Sequence, residues 1–389
     1  MKKKYIILSI ITLVLLITFV TSFNYFKTSN TYVENNSNNQ TKITKGISMN
    51  LEQTAGAGDY KTVTQSSWPG DDYVFNEELS RCENGSELSW DDTNKKVIVS
   101  GNLSDKCYVY FDIYVQRRFD ETCNSSTLAC HIAKQYTGTQ GENGIYYHDS
   151  SLTNGAGDNS YRYAGASASV NNYICLGSDA ATCPDANLFR IIGVFGDQTK
   201  VIRAKSVGDQ KWDTNNSNTW SSSSLNTYLN GTYLTSLGTL AEKIATTTWK
   251  VGGGTYAKIS QSVPKTAYQY EVGSSSSTTT VDKKIGLMYV SDYYYGASPS
   301  AWTLVGYNRS DATKDYRAAT STNWLYKDSY EWTISRYSNF SDGAFSVYSG
   351  LLDSSSVTFS FAVRPAFNLL SSVNYVSGSG SMSDPVRVN

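Results

Sequence analysis

Asn187-Leu-Phe-Arg-Ile-Ile-Gly-Val-Phe195, then Gly196-Asp197, then Lys200-Val-Ile-Arg-Ala204, is the stretch on which the fold turns. Two runs rich in branched and aromatic residues flank a Gly-Asp pair, which is the short-range signal of a β-hairpin. Working toward the C-terminus, Ser222 is placed to cap a helix carrying Leu225, Tyr228 and Leu229, with Asn230-Gly231 as its stop signal. Leu240, Ile244 and Ala245 suggest another short helix. Strands are then expected at Ile285 to Val290, Glu331 to Arg336, Ala344 to Tyr348 and Val357 to Val363. Long polar loops, Ser274 to Thr280 and Asn308 to Asn323, lie between them, and loops of that length are usually functional or disordered. A few helices followed by antiparallel strands make this half α+β.

Upstream, Leu128, Ala129, Ile132 and Ala133 give one helical face. Before it, short strand-like pieces run from about Gly46: Ile47 to Leu51, Lys61 to Val63, Lys96 to Ser100 and Cys107 to Val115. In the last of these, Tyr108, Tyr110, Asp112 and Tyr114 alternate with Val109, Phe111, Ile113 and Val115. Turn signals separate the pieces, so residues 46–117 read as a small all-β module and 118–389 as a second domain. The two Gly-Ala-Gly-Asp occurrences, at 56–59 and 155–158, share no flanking similarity and mark no repeat.

Lys2-Lys-Lys4 before an apolar run has the layout of a secretory signal. Residues 1–23 are read as either a cleaved signal peptide or an uncleaved membrane anchor, and 24–45, polar and without period, as a flexible spacer. The cysteines agree with export. Cys82/Cys107, Cys123/Cys130 and Cys175/Cys183 fall as sequence-adjacent pairs, favouring disulfides over zinc, whose C-x₂₋₄-C spacing is missing. Spacing alone leaves their connectivity open.

Composition narrows the function. With 33 Lys+Arg against 34 Asp+Glu the net charge is −1, which argues against nucleic-acid binding. Only 17% of residues are charged while 30 are tyrosines, a balance that favours an extracellular protein. His131 and His148 are the only histidines, which rules out a His-rich metal centre. A Ser-His-Asp hydrolase would have to use one of them, and no Gly-x-Ser-x-Gly elbow is present. No catalytic residue, metal site or cofactor is therefore assigned.

Trp68-Pro-Gly70, Cys82-Glu-Asn-Gly85, Leu88-Ser-Trp90 and Asp105-Lys-Cys-Tyr-Val-Tyr-Phe111 resemble a small β module of surface proteins from low-GC Gram-positive gut bacteria. Gly144-Ile-Tyr-Tyr-His-Asp149, Asp158-Asn-Ser-Tyr-Arg-Tyr163, Asn187-Leu-Phe-Arg-Ile-Ile-Gly193, Ile285-Gly-Leu-Met-Tyr-Val-Ser-Asp292 and Val363-Arg-Pro-Ala-Phe367 resemble the domain of unknown function that accompanies it. That resemblance implies a C-type-lectin-like α+β domain, related to the formylglycine-generating-enzyme-like fold, over 118–389. The sugar-binding triplets of C-type lectins do not occur here, although Asp292, Asp311, Asp315 and Glu331 carry oxygens of the kind calcium takes. Copper oxidase chemistry would need a late cysteine, and none follows Cys183.

The expected site is a set of late aromatic loops, because Tyr and Trp supply rigid contact area with polar tips. Tyr293, Tyr294, Tyr295, Trp302, Tyr307 and Tyr337 are assigned to ligand binding, with Tyr330 and Tyr348 in the same group of aromatics. The run Asp292-Tyr-Tyr-Tyr-Gly296 is expected to leave at least one ring exposed, whereas Tyr289, Trp324 and Trp332 read as core. Arg162 and Arg364 are read as structural, the latter as a buried arginine clamped to an acid. The expectation is thus an exported, non-enzymatic surface protein binding an extracellular glycan or protein, with a membrane contact if the N-terminal segment is retained. Its rivals are the variable protein of a diversity-generating retroelement, a cell-wall glycan enzyme and a purely structural envelope protein.

Overall fold

The computed structural model describes residues 46–63, 69–102, 105–114 and 117–389. The expected signal or anchor at 1–23, the spacer at 24–45, and the motif residues Trp68 and Val115 lie outside the described residues. Among the described residues, no helix is long and apolar enough to cross a membrane. The chain divides into two compact units between Arg117 and Arg118.

The first unit is built on the alternation in Lys106–Ile113. Cys107, Val109 and Phe111 are buried on one face, while Tyr108, Tyr110 and Asp112 are half-buried on the other. This strand lies parallel to Gly46–Glu52 and antiparallel to Tyr73–Cys82, and Tyr60–Val63 completes a four-stranded sheet. Met49, Leu51, Val109 and Phe111 form its core. Phe75 and Trp90 close over Phe111, with ring centroids 5.7 and 5.5 Å from it. Trp90 comes from a hairpin, Glu87–Asp91 with Lys96–Ser100. Cys82 and Cys107 stand directly opposite in the sheet and are joined. The bridge therefore links two strands, the first of which, Tyr73–Cys82, is concealed in the sequence by its mixed polar text.

The second unit is organised by Leu188–Phe195, whose first seven residues are all buried. Such a run belongs to a strand covered on both faces. It pairs with Gln198–Arg203 through a turn at Gly196-Asp197, where Gly196 has φ 61° and so supplies the left-handed conformation of a tight hairpin. Its other edge pairs with Tyr173–Cys175 and, past a register shift, with Tyr161–Tyr163. Gly193 sits where those backbones close up; a Cβ there would lie 2.1 Å from the Tyr161 carbonyl oxygen. Ala366–Asn368, Val386–Val388, Tyr375–Ser377 and Ile145–Tyr147 extend this to eight strands. A second sheet of five runs in the order Asp209–Lys211, Ser360–Ala362, Glu331–Arg336, Gly343–Tyr348, Leu351–Ser356. Thr247–Lys250 and Thr280–Lys283 form a separate pair. The remaining disulfides are Cys123–Cys130, which ties the expected helix Leu128–Ala133 to the segment before it, and Cys175–Cys183.

The C-type-lectin-like α+β arrangement is not what forms. The chain is strand-rich, 34% strand against 21% helix, spread over several small sheets with parallel as well as antiparallel pairs. Among the described residues the longest α-helix, Pro264–Glu271, has eight residues. Polar, Gly- and Ser-rich text breaks each helical pattern before it gains length, so no helical layer separates from the strands. Two local expectations change for related reasons. The helix capped by Ser223, not Ser222, runs from Ser224–Tyr228 through a π-turn at Leu229–Tyr233, passing Asn230-Gly231 without stopping. Its Asn230 side chain reaches out to bond the Ile285 backbone, a tertiary gain that overrides the stop signal. Ile285 to Tyr289 is a buried connection, and Val290 begins a helix.

Candidate functional site

Val290–Tyr295 is the helix that carries the expected tyrosine run. All six of its residues are buried, so it has no solvent face, as happens to a helix packed on every side. Each phenol finds a backbone acceptor: Tyr293 donates to Gly350, Tyr294 to Ile259 and Tyr295 to Asn154. Burial pushes all three hydroxyls up from their ordinary range. Trp302 is also buried, its indole donating to the Ala297 carbonyl at 3.0 Å. The expectation that one ring of the run faces solvent fails, and with it a site built on Tyr293, Tyr294, Tyr295 and Trp302. Tyr307 is half-buried beneath the Arg317 guanidinium, and Tyr337 is half-buried among Tyr256, Phe340 and Phe345. Tyr289, Trp324 and Trp332 are buried as the sequence reading expects.

The acids that resembled calcium ligands are occupied by partners of their own. Arg364 grips Glu331 with two bonds, of 2.6 and 2.8 Å, in a pair that is almost wholly buried. The Asp315 carboxylate accepts from the Arg317 guanidinium and from the backbone of Asn308 and Arg317, organising the long loop that follows Tyr307. Asp311 caps Thr313. Asp292 accepts from Lys200 at 2.5 Å and from the Tyr289 backbone. Arg162 is buried between Asp292, at 3.9 Å, and Asp158, at 2.5 Å. Burial would raise the Asp158 carboxyl, but the Arg162 guanidinium and the Ser160 hydroxyl outweigh it and hold it at about 2. Lys200 is lowered as well, but here burial is the cause, and Asp292 restores only part of the loss. Among the described residues, no group of three or more His, Cys, Asp and Glu is placed to hold a metal ion. His148 is fully buried, and His131 stacks on Tyr375.

What remains exposed is a different set of aromatics, produced by sheet register. Tyr330 directly precedes Glu331, which pairs with Val347 on one side and Ala362 on the other. One residue back along the strand, Tyr348, Tyr330 and Phe361 therefore fall in a single row across three neighbouring strands. The Tyr348 and Tyr330 rings stack at 3.9 Å and 9°, and Tyr330 stacks on Phe361 at 4.8 Å. Phe361 is followed inward by Trp332 at 4.5 Å, whose indole bonds the Gln210 carbonyl. Phe359, two residues from Phe361 and 6.0 Å from it, flanks the row. The outer members are open: Tyr348 is 40% exposed, Tyr330 41% and Phe359 55%. All six tryptophans of the second unit are buried, and apart from Phe340, which is 58% exposed beside Tyr337, the exposed aromatic rings of this unit belong to this row. Tyr330 and Tyr348 belong to the aromatics singled out in sequence; Phe359 and Phe361 do not, and only strand pairing could have joined them.

Residues 196–371 match a family described as a domain of unknown function, DUF6273. The match spans the five-stranded sheet, the row and the Lys200–Asp292 pair, and leaves out Asp158 and Arg162. No curated protein and no solved structure matches the chain.

Proposed function

We propose that this is an exported, non-catalytic protein that binds an extracellular protein ligand through Tyr348, Tyr330, Phe361 and Phe359. The observation that carries the reading is the solvent-facing end of that aromatic row, in a unit that buries all six of its tryptophans. Stacked side by side, the rings present edges and hydroxyl tips as a ridge rather than an open flat face. A ridge suits a groove on a protein better than it suits the apolar face of a sugar ring, and tyrosine is among the residues that dominate protein interfaces. Export is supported by three disulfides, which persist in oxidising compartments, and by the basic-then-apolar N-terminal text, which serves as signal or tether. Attachment to the cell surface is part of the same proposal.

The purified protein, probed on paired arrays of extracellular proteins and of glycans, tests this. Protein hits that weaken at least about tenfold in a Tyr330→Ser/Tyr348→Ser variant with an unchanged melting temperature are expected. Hits confined to the glycan array, or protein hits that survive the double substitution, would overturn the assignment.

A further inference from the structure

Five lysine–carboxylate ion pairs stand among the described residues, and burial separates one of them from the rest. In four the lysine side chain is at least 40% exposed; in Lys200–Asp292 the two side chains are 6% and 2% exposed. The Lys200 ammonium stands 4.6 Å from the Tyr289 ring centroid, 5.5 Å from that of Trp249 and 5.6 Å from that of Phe195, so apolar rings enclose the contact. Its Nζ lies 2.5 Å from Asp292 Oδ2. With a carbon–oxygen bond of about 1.2 Å, the carboxyl carbon is then within about 3.7 Å of that nitrogen, next to the range from which a nucleophile attacks. Both partners are held in place. Lys200 belongs to Gln198–Arg203, a strand paired on both edges. The Tyr289 backbone donates to Asp292 Oδ2 at 2.8 Å, and Glu271 fixes the same helical turn by accepting from the Val290 and Ser291 backbones, each at 2.8 Å.

We propose that Lys200 and Asp292 condense into an intramolecular amide, an isopeptide cross-link between strand and helix. One proton passes from the ammonium to the carboxylate, and the freed lone pair of Nζ attacks Cγ to form the C–N bond. A second proton then moves from nitrogen to Oδ1, which leaves as water, while Oδ2 stays as the amide carbonyl oxygen. The Tyr289 N–H meets the negative charge that develops on Oδ2 during the attack. Burial favours the first step, because it lowers Lys200 toward its neutral, nucleophilic amine. Holding amine and acyl carbon together in a dry site makes the condensation intramolecular, an advantage equivalent to about 10⁵–10⁸ M of reactant. The product removes two desolvated charges and strands none. Arg162 keeps Asp158, and Glu271 keeps its backbone donors and the Ser335 hydroxyl. A cavity of about 240 Å³, lined by both Lys200 and Asp292, receives the released water. The equally buried Arg364–Glu331 pair is barred from this reaction, since a guanidinium does not give up its proton.

Peptide mapping of the full chain, reduced and digested with trypsin, tests the proposal. An acylated Lys200 is not cleaved, so residues 191–203 and 285–309 are expected as one branched species, lighter than their sum by one water. Fragmentation should place the link on Lys200 and Asp292. Recovery of the two segments as separate linear peptides, with cleavage after Lys200, would overturn the proposal, as would a link from Lys200 to another acid. The native chain decides this, so no variant has to fold. A second reading uses Lys200→Arg, which keeps the charge beside Asp292 but offers no amine. After boiling and reduction the native chain should migrate ahead of this variant in a denaturing gel, because the link joins residues 92 apart and keeps the loop between them closed. Equal mobility of the two would also overturn the proposal. The cross-link and the aromatic row share no residue, so either reading can fail without the other.

Discussion

Two clusters of tyrosine in the second unit have opposite fates. Tyr293, Tyr294 and Tyr295 stand in consecutive positions and are all buried; Tyr330 and Tyr348 lie far apart in the chain, stack on one another, and are open. The contiguous run looks like the sticky surface, yet a short helix enclosed on all sides takes in every ring and meets every hydroxyl with a carbonyl. The dispersed pair looks like nothing in one dimension and becomes a surface only because three strands align. Tyrosine density along a chain thus says little about exposure. The element that carries it, and how many faces of that element are covered, decides the matter.

The sharpest way to break the comparison is to remove a ring from each cluster. Tyr294→Ala should cost about 4 kcal/mol in denaturant unfolding, since it empties a fully buried site. Tyr348→Ala should cost under about 1 kcal/mol; similar losses from the two would mean that burial is not what separates them. Glu331→Gln comes next. It leaves the buried Arg364 without its carboxylate, directly after the exposed Tyr330, and should cost about 3 kcal/mol. Arg364→Met/Glu331→Leu should regain most of that loss if the penalty lies in the stranded charge.

Acid sensitivity is expected to be smaller. Asp158 is held at about 2 against an ordinary 3.8, so its ionised form stabilises the fold. That contribution, about 2 kcal/mol, is present in full above about pH 4 and is lost as pH falls toward 2. Asp158→Asn should therefore differ from the native chain at pH 6 and converge with it near pH 2, as followed by urea midpoints. A constant difference across that range would locate the effect in packing instead of charge. A smaller effect still is expected of Tyr294→Phe, about 1 kcal/mol, which strands only the Ile259 carbonyl. The matching change, Tyr348→Phe, should be neutral for stability and should lower ligand affinity if the hydroxyl tips are used.

Much of the frame was legible in sequence. The alternation of Cys107 to Ile113, the Gly196-Asp197 hairpin and the Leu128–Ala133 helix are local, and local text encodes them, whereas the cysteine connectivity was left open until the structure joined neighbours. Tyr73–Cys82 was missed because Asn76, Glu77 and Glu78 hide its period; Asn76 turns instead to Asp112 on the facing strand. Exposure of the aromatics was poorly legible: Tyr330 and Tyr348 were among those singled out and are open, Tyr307 and Tyr337 are half-buried, and Tyr293, Tyr294, Tyr295 and Trp302 went inside. The lectin-like arrangement came from resemblance and gave way to a set of small mixed sheets.

By itself the sequence determined a division into two units, six cysteines that fall in three sequence-adjacent pairs, and a composition rich in tyrosine and low in charge. Which tyrosines meet solvent, which acids pair with Arg162, Lys200 and Arg364, and that a cavity opens beside Lys200 were decided only by tertiary structure. Hydrophobic period and turn chemistry act over a few residues, so they can be read along the chain. Burial and ion pairing depend on partners brought together from separate elements, as Lys200 on a strand meets Asp292 on a helix and Tyr330 meets Tyr348 and Phe361 across paired strands.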